Sequence, residues 1–196
     1  MNGLILTAAV VVGAYLVGSF PSAYVMTRLF GKGDIRKIGS GNLGGMNTVR
    51  NAGRVPGVLT GLFDFGKGLL VVYLVRHLTA DPYLPLWAAV ACVAGHNWMI
   101  YMGFRGGKGL GATIGALLLL APLALPVALV VAVLASLALK DSYAGTVAGV
   151  ASIPASLWFI YQDPVRLLFG MALAAVIIAK HVPDLKRFAA GKKELI

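Results

Sequence analysis

LGATIGALLLLAPLALPVALVVAVLASLALK, residues 110–140, decides the fold. It carries no charge before Lys140, and Pro122 and Pro126 lie near its middle. A membrane-crossing helix takes about 20 mostly apolar residues, fewer where the bilayer thins. The stretch is therefore either one long helix kinked at proline or two short ones. Charge decides between them. Arg105 and Lys108 precede the stretch and Lys140 closes it. Lysine- and arginine-rich loops stay on the cytoplasmic side, so both ends share one side and the chain crosses twice, as Leu110–Ala121 and Leu123–Leu139.

Working outward, the same pattern gives spans at Leu4–Met26, Val55–Leu74, Leu84–Met102, Tyr143–Tyr161 and Val165–Lys180. Fourteen of the 17 basic residues fall at Arg28, Lys32, Arg36, Lys37, Arg50, Arg54, Arg105, Lys108, Lys140, Lys180, Lys186, Arg187, Lys192 and Lys193. All of these belong on one face. Arg76 and Arg166 fall in the opposite loops, and Lys67 falls inside a span. The expected architecture is an all-α polytopic membrane protein of seven transmembrane helices in a single domain, 1–196, with the N-terminus outside and the C-terminus cytoplasmic. The N-terminal stretch lacks a basic leader and a small-residue cleavage site, so it is expected as a retained first helix.

Composition agrees. Apolar residues make up 59% of the 196 and charged residues 12%, and mean hydropathy is +0.84. A soluble domain has to wet its surface with more polar groups than that. The net charge of +10 points to anionic partners, either lipid headgroups or phosphate esters. Nucleic acid is excluded because the basic residues sit in short loops between apolar spans. The single Cys92 offers no disulfide framework and no cysteine metal site.

Two loops carry candidate chemistry. GSGNLGGMNTVR, residues 39–50, holds four glycines with Ser40, Asn42, Asn47, Thr48 and Arg50. Glycines let successive backbone N–H groups converge on an anion. Ser40 adds a hydroxyl and Arg50 a planar, permanently charged fork. The ordinary alternative is a flexible polar connector. GFRGGKG, residues 103–109, opens the fourth span and would place an anion at a helix N-terminus near Lys108. It is no nucleotide P-loop: Met102 stands where the first glycine belongs and Gly109 where a magnesium-binding hydroxyl belongs. Arg105 reads equally well as a topology anchor.

Asp64, Lys67, His96 and Asn97 fall within spans, where ionisable groups are expensive and default to function. Asp64 and Lys67, three residues apart on one helix, read more simply as a mutually neutralising pair. His96 and Asn97 fall at mid-span, as an interior histidine bonded to a neighbouring helix. No metal-ligand spacing and no nucleophilic triad is present. The last span ends KHVPDLKRF, residues 180–188; Pro183 argues against a helix that carries His181 and Asp184 together. Lys186, Arg187, Lys192 and Lys193 read as a basic membrane-surface tail. His181 is the one histidine expected on the cytoplasmic face, suited to accept a proton or bind phosphate near neutral pH.

The ordered segments resemble the bacterial acyl-phosphate:glycerol-3-phosphate 1-acyltransferase family along nearly the whole chain. GSFPSAYVMTRLFGKGDIRKIGSGNLGGMNTVR at 18–50 is similar to its first helix and first signature loop, and LFDFGKG at 62–68 to its D-x-x-K-G segment. GHNWMIYMGFRGGKG at 95–109 and KHVPDLKRFAAGKKE at 180–194 are similar to the second and third signatures. The resemblance implies seven helices with three signature loops facing the cytoplasm of a bacterial inner membrane. The implied reaction moves a fatty acyl group from acyl phosphate to the 1-hydroxyl of glycerol 3-phosphate, releasing lysophosphatidic acid and phosphate without cofactor or metal. It implies transient contact with the enzyme that supplies acyl phosphate. Ser40, His181 and Lys108 take the catalytic positions by this resemblance. The substrate-phosphate site comprises Ser40, Gly41, Asn42, Arg50, Gly107, Lys108, His181 and Asp184. Met46, Asn97, Gly111 and Asp184 depart from the family's usual residues, and KDSYAGT at 140–146 lacks its Arg-Tyr-x-Ser pattern, leaving Ser142 or Thr146 to supply a hydroxyl. A transporter or scramblase of anionic lipids, and a family member that binds acyl phosphate or lipid without turnover, are the competing readings.

Overall fold

The computed structural model describes residues 3–194, and among them every regular element is helical. Apolar runs without charge give α1 (Gly3–Gly18), α6 (Leu110–Leu120) and α7 (Ala124–Leu139). The remaining helices are α2 (Ser22–Leu29), α3 (Gly45–Ala52), α4 (Arg54–Leu78), α5 (Leu84–Asn97), α8 (Ser142–Tyr161) and α9 (Pro164–Ala189). Local chemistry sets their ends. Asp141 caps α8 by accepting the N–H groups of Tyr143 at 3.0 Å and Ala144 at 2.8 Å. Asp163 caps α9 through the Val165 N–H at 2.8 Å. Gly53, at φ 112°, separates α3 from α4 in a conformation that favours glycine.

Four of the expected boundaries need correction. The first span is not continuous: Pro21, which has no N–H and disfavours helical geometry before it, breaks the chain into α1 and α2. The third span stops at Asn97, followed by a single 3-10 turn at Ile100–Met102, so His96 and Asn97 end a helix instead of sitting at mid-span. The segment 45–52, expected as part of a glycine-rich loop, is a helix. The last helix continues to Ala189 with Pro183 inside it, so His181 and Asp184 do share one helix. Two helices do form here, α6 and α7; Pro122 lies in the break between them and Pro126 in the first turn of α7. Among the described residues, four helices are long and apolar enough to cross a membrane: Gly3–Leu29 taken through its break, Arg54–Leu78, Ser142–Tyr161 and Pro164–Ala189. At 14, 11 and 16 residues, α5, α6 and α7 are shorter.

The chain forms two compact units, residues 1–119 and 120–196. Small residues bring helices together in each, as expected where lipid supplies no hydrophobic drive for association. In the first unit, a Cβ on Gly18 would overlap the Cys92 carbonyl and one on Gly95 the Tyr15 carbonyl, which seats α1 on α5. Gly68 and Gly115 meet the carbonyls of Ala112 and Phe65 in the same way, seating α4 on α6. In the second unit, Gly149 rests on Ala128 and Ala132 of α7, and Gly170 of α9 rests on Pro154 of α8.

Candidate active site

The first candidate loop begins at the end of α2. Asp34 accepts the Arg36 N–H at 3.1 Å and pairs with its guanidinium at 2.6 Å. Those hydrogen bonds hold the Asp34 carboxyl down at about 2. Arg36 also lies over the Tyr24 ring, 5.1 Å from its centroid. Beneath the loop, Ile35 and Leu43 are buried with Ala23 of α2 and Met99, and Tyr24, Ile38 and Met102 pack around them. This small apolar core has a consequence for the site. It fixes the Ser40 loop to the 99–102 turn, which leads directly into the Lys108 loop.

Asn47, on the first turn of α3, braces the first loop. Its Oδ1 accepts the Ser40 N–H at 3.2 Å and an Asn51 side-chain N–H at 2.9 Å. Its Nδ2 donates to the carbonyls of Asn42 at 3.0 Å and Ile38 at 3.2 Å. The N–H of Gly41 goes to the Ile38 carbonyl at 3.1 Å. The amides of Ser40 and Gly41 are thus used to shape the loop, whereas the Ser40 side chain and Arg50 are exposed. Asn42 donates its N–H weakly to Ser40 Oγ at 3.4 Å and is partly exposed. Gly39 and Gly41 have φ of 58° and 68°, the left-handed geometry that the tight turn requires.

The second candidate loop is seated on the end of α5. The Gly107 N–H donates to the His96 carbonyl at 3.0 Å. A Cβ on Gly107 would overlap His96 Nε2, and one on Gly106 would overlap the His96 carbonyl. Lys108 follows, partly exposed, between Gly107 and Gly109. Gly107 therefore has a backbone-packing role, its amide already engaged.

Below this loop lies a buried polar cluster. Asp64 Oδ1 receives Ser22 Oγ at 2.5 Å and Lys67 Nζ at 2.9 Å, and lies 3.4 Å from His96 Nδ1. Lys67 also donates to the Phe20 carbonyl at 3.3 Å, at the break before Pro21. Asp64 and Lys67 do pair, and His96 does meet a neighbouring helix. Ser22 as a fourth member carried no sequence signal, because the α1–α2 break that aims it was not expected.

In the second unit His181 is fully buried, and its Nδ1 lies 2.9 Å from the Ile177 carbonyl. A carbonyl only accepts, so Nδ1 carries the hydrogen and, in the neutral ring, Nε2 keeps the lone pair. Asp184 lies one turn further along α9, partly exposed. The hydroxyls of Ser142 and Thr146 donate to the carbonyls of Glu194 and Ser142, at 3.1 and 2.7 Å. Arg187 is not part of a surface tail: it pairs with Glu194, lies 3.5 Å from Asp141 and covers the Tyr143 ring. Asp141 accepts the Glu194 N–H at 2.9 Å as well as its two cap N–H groups. Burial alone would raise the Asp141 carboxyl, but these N–H groups and Arg187 outweigh it and hold it below the usual range.

A family model described as glycerol-3-phosphate acyltransferase matches residues 8–191. The chain is 39% identical to "Glycerol-3-phosphate acyltransferase 2" of Moorella thermoacetica, over 91% of each chain. It is 37% identical to the glycerol-3-phosphate acyltransferase of Jannaschia sp., covering 100% of this chain and 98% of that one. Its fold is similar to a crystal structure of an integral membrane glycerol 3-phosphate acyltransferase in the glycerol 3-phosphate form. The TM-score is 0.86 at 26% identity, over 97% of this chain and 95% of that one. The lysophosphatidic acid form of that enzyme matches with a TM-score of 0.84 at 26% identity, over 96% and 94% of the two chains.

Proposed function

We propose, for a chain that belongs to the glycerol-3-phosphate acyltransferase family, that it moves a fatty acyl group from acyl phosphate to the 1-hydroxyl of glycerol 3-phosphate. The products are lysophosphatidic acid and inorganic phosphate. The observation that carries this is the shared apolar core of Ile35, Leu43, Ala23 and Met99, which ties the Ser40–Arg50 segment to the loop of Lys108. Two basic, glycine-bearing segments on one rigid support suit two phosphate-bearing substrates. The solved relative in glycerol 3-phosphate and lysophosphatidic acid forms supports the acceptor and product.

In this reading the 1-hydroxyl oxygen attacks the acyl carbonyl carbon, the carbon–oxygen bond to phosphate breaks, and phosphate departs with the bonding pair. Acyl phosphate is already activated, so the protein's part is positioning and charge stabilisation. Arg50 and Lys108 neutralise substrate phosphates, the Ser40 hydroxyl orients the leaving phosphate, and Gly41, Asn42 and Gly107 shape the two loops. His181, by Nε2, or a phosphate oxygen of the substrate, takes the hydroxyl proton. Asp184 lies on the same helix and is proposed to tune the charge near His181. The protein is proposed as one domain with seven crossings and its basic loops on the cytoplasmic face of a bacterial inner membrane, where it meets the enzyme that makes acyl phosphate.

The test follows phosphate release by purified protein in detergent, with palmitoyl phosphate and glycerol 3-phosphate. Release should depend on the acceptor and be lost in Arg50→Ala and Lys108→Ala, and no lysophosphatidic acid should form when palmitoyl-CoA replaces palmitoyl phosphate. Acceptor-independent release, or turnover with the thioester alone, overturns the assignment.

A further inference from the structure

The buried cluster under the Lys108 loop is larger than charge neutralisation needs. Asp64 and Lys67 alone would balance each other across one turn of α4, with Nζ and Oδ1 2.9 Å apart. Yet the same Oδ1 also gathers Ser22 from α2 and His96 from α5, and all four side chains are buried. A carboxylate that takes donors from α2 and α4 and has the α5 imidazole 3.4 Å away ties three helices together, and it sets one face of the His96 ring. Such a partner is what holds an imidazole in one pose.

The far side of that ring is where the Lys108 loop sits. Gly107 approaches so closely that a Cβ would overlap His96 Nε2, while its N–H is held by the His96 carbonyl at 3.0 Å. Gly106 presses on the carbonyls of His96 and Asn97. Gly109, at φ 81°, leaves room for a Cβ only 2.8 Å from Asn97 Oδ1. Lys108 is thus bracketed by glycines resting on His96 and Asn97. The start of α6 leans on the same carboxylate, since a Cβ on Gly111 would lie 2.9 Å from Asp64 Cβ. Asp64 supports the loop from beneath at two points.

We propose that Asp64 and His96 are positioning residues for Lys108: the carboxylate fixes the imidazole, and the imidazole is the platform on which Gly106 and Gly107 hold the lysine in register with substrate phosphate. The proposal rests on the assignment of Lys108 to phosphate. Neither residue touches substrate; both act through the backbone of the loop. A misplacement of about 1 Å at such a point lowers rate by about 100-fold.

The experiment compares Asp64→Asn, His96→Gln and Lys108→Ala with the parent protein in detergent. It reads KM for glycerol 3-phosphate and the inhibition constant for inorganic phosphate. Both are independent of the fraction of protein folded, so a merely structural role would leave them unchanged and lower only the maximal rate. Asp64→Asn and His96→Gln should raise both constants about 10-fold or more, in the same direction as Lys108→Ala. Where Asp64→Asn leaves Lys67 uncompensated and the protein fails to fold, Asp64→Asn/Lys67→Met restores neutrality and is read instead. Parent-like constants in the Asp64 and His96 variants, with Lys108→Ala impaired, overturn the positioning role alone. Parent-like constants in Lys108→Ala overturn the phosphate assignment and this proposal with it.

Discussion

Asn47 offers the sharpest single perturbation of the first loop. Its side chain makes four hydrogen bonds, two accepted and two donated, at 2.9–3.2 Å. Each is worth about 0.5–1.5 kcal/mol net. The two at 3.2 Å are at the long end of the range, and water can reach the exposed Ser40 end. A total of about 2–4 kcal/mol is therefore reasonable for Asn47→Ala. At about 1.4 kcal/mol per tenfold, this shifts the balance between ordered and open loop by roughly 30- to 1,000-fold. Part of that is absorbed by the loop's own margin of stability and its apolar core, so kcat/KM for glycerol 3-phosphate should fall about 10- to 100-fold. Global melting in detergent should move by only a few degrees, because α3 has eight residues. Asn47→Asp separates geometry from bulk. It keeps the shape and the two accepting contacts but turns two donors into acceptors facing the Ile38 and Asn42 carbonyls, so it should do no better than alanine. Initial rates of phosphate release against acceptor concentration give kcat/KM for each variant. Values within twofold of the parent for both would refute the idea that Asn47 holds a loop needed for turnover.

Other expectations can be checked with the same preparations. Gly107→Ala forces a methyl onto the His96 ring; overpacking of this kind costs about 1–3 kcal/mol, and turnover should fall more than about 10-fold while far-ultraviolet circular dichroism is unchanged. The Asp34 carboxyl, at about 2, lies below its unfolded value, so its contribution is complete above about pH 4 and lost as pH falls through about 2. Asp34→Asn should therefore change activity by a constant factor between about pH 5 and 8; a displaced acid limb in that profile would contradict the pairing. Because Cys92 is fully buried, single cysteines report topology against a silent background. Cysteine at Arg105, Lys140 and Lys192 should react with an impermeant maleimide from the cytoplasmic side, and at Asp81 and Gln162 from outside. Labelling of Lys140→Cys from outside would refute the paired crossing of α6 and α7.

The helical segments were legible because apolar length and charge placement act locally along the chain. The break at Pro122 between α6 and α7, and the Asp64–Lys67 spacing, could be read from neighbours in sequence. Breaks that depend on tertiary support could not. The segment Gly18–Pro21 contains an evident breaker, yet whether it ends a helix depends on what satisfies the freed carbonyl, and Phe20 finds Lys67, 47 residues away. Pro183 shows the opposite outcome, a breaker tolerated inside α9. The Glu194–Asp141 contact spans 53 residues, so nothing near Arg187 distinguishes a buried ion-pair partner from a basic tail. Ser40, Arg50 and Lys108 stand out in the sequence as candidates by residue type. Asn47 was visible only as one polar residue among several, because its role lies in four partners that folding brings to it.

That distribution reflects a division of labour in the site. Groups proposed to meet phosphate must stay reachable, so they sit on exposed or partly exposed loop positions: Ser40, Arg50 and Lys108. Loops alone would leave them too mobile to stabilise charge at a defined point. Each is therefore backed by buried polar side chains that no substrate needs to touch: Asn47 under the first loop, and Asp64 with His96 under the second. In a low-dielectric interior such groups are tolerated only when nearly every donor and acceptor is matched. The matching makes them rigid, and that rigidity is what the exposed residues borrow. Substitutions in the exposed set should act chiefly on substrate affinity, with little change in melting. Substitutions in the buried set should disturb both affinity and melting, with the Asp64 cluster, which joins three helices, showing the larger effect on stability.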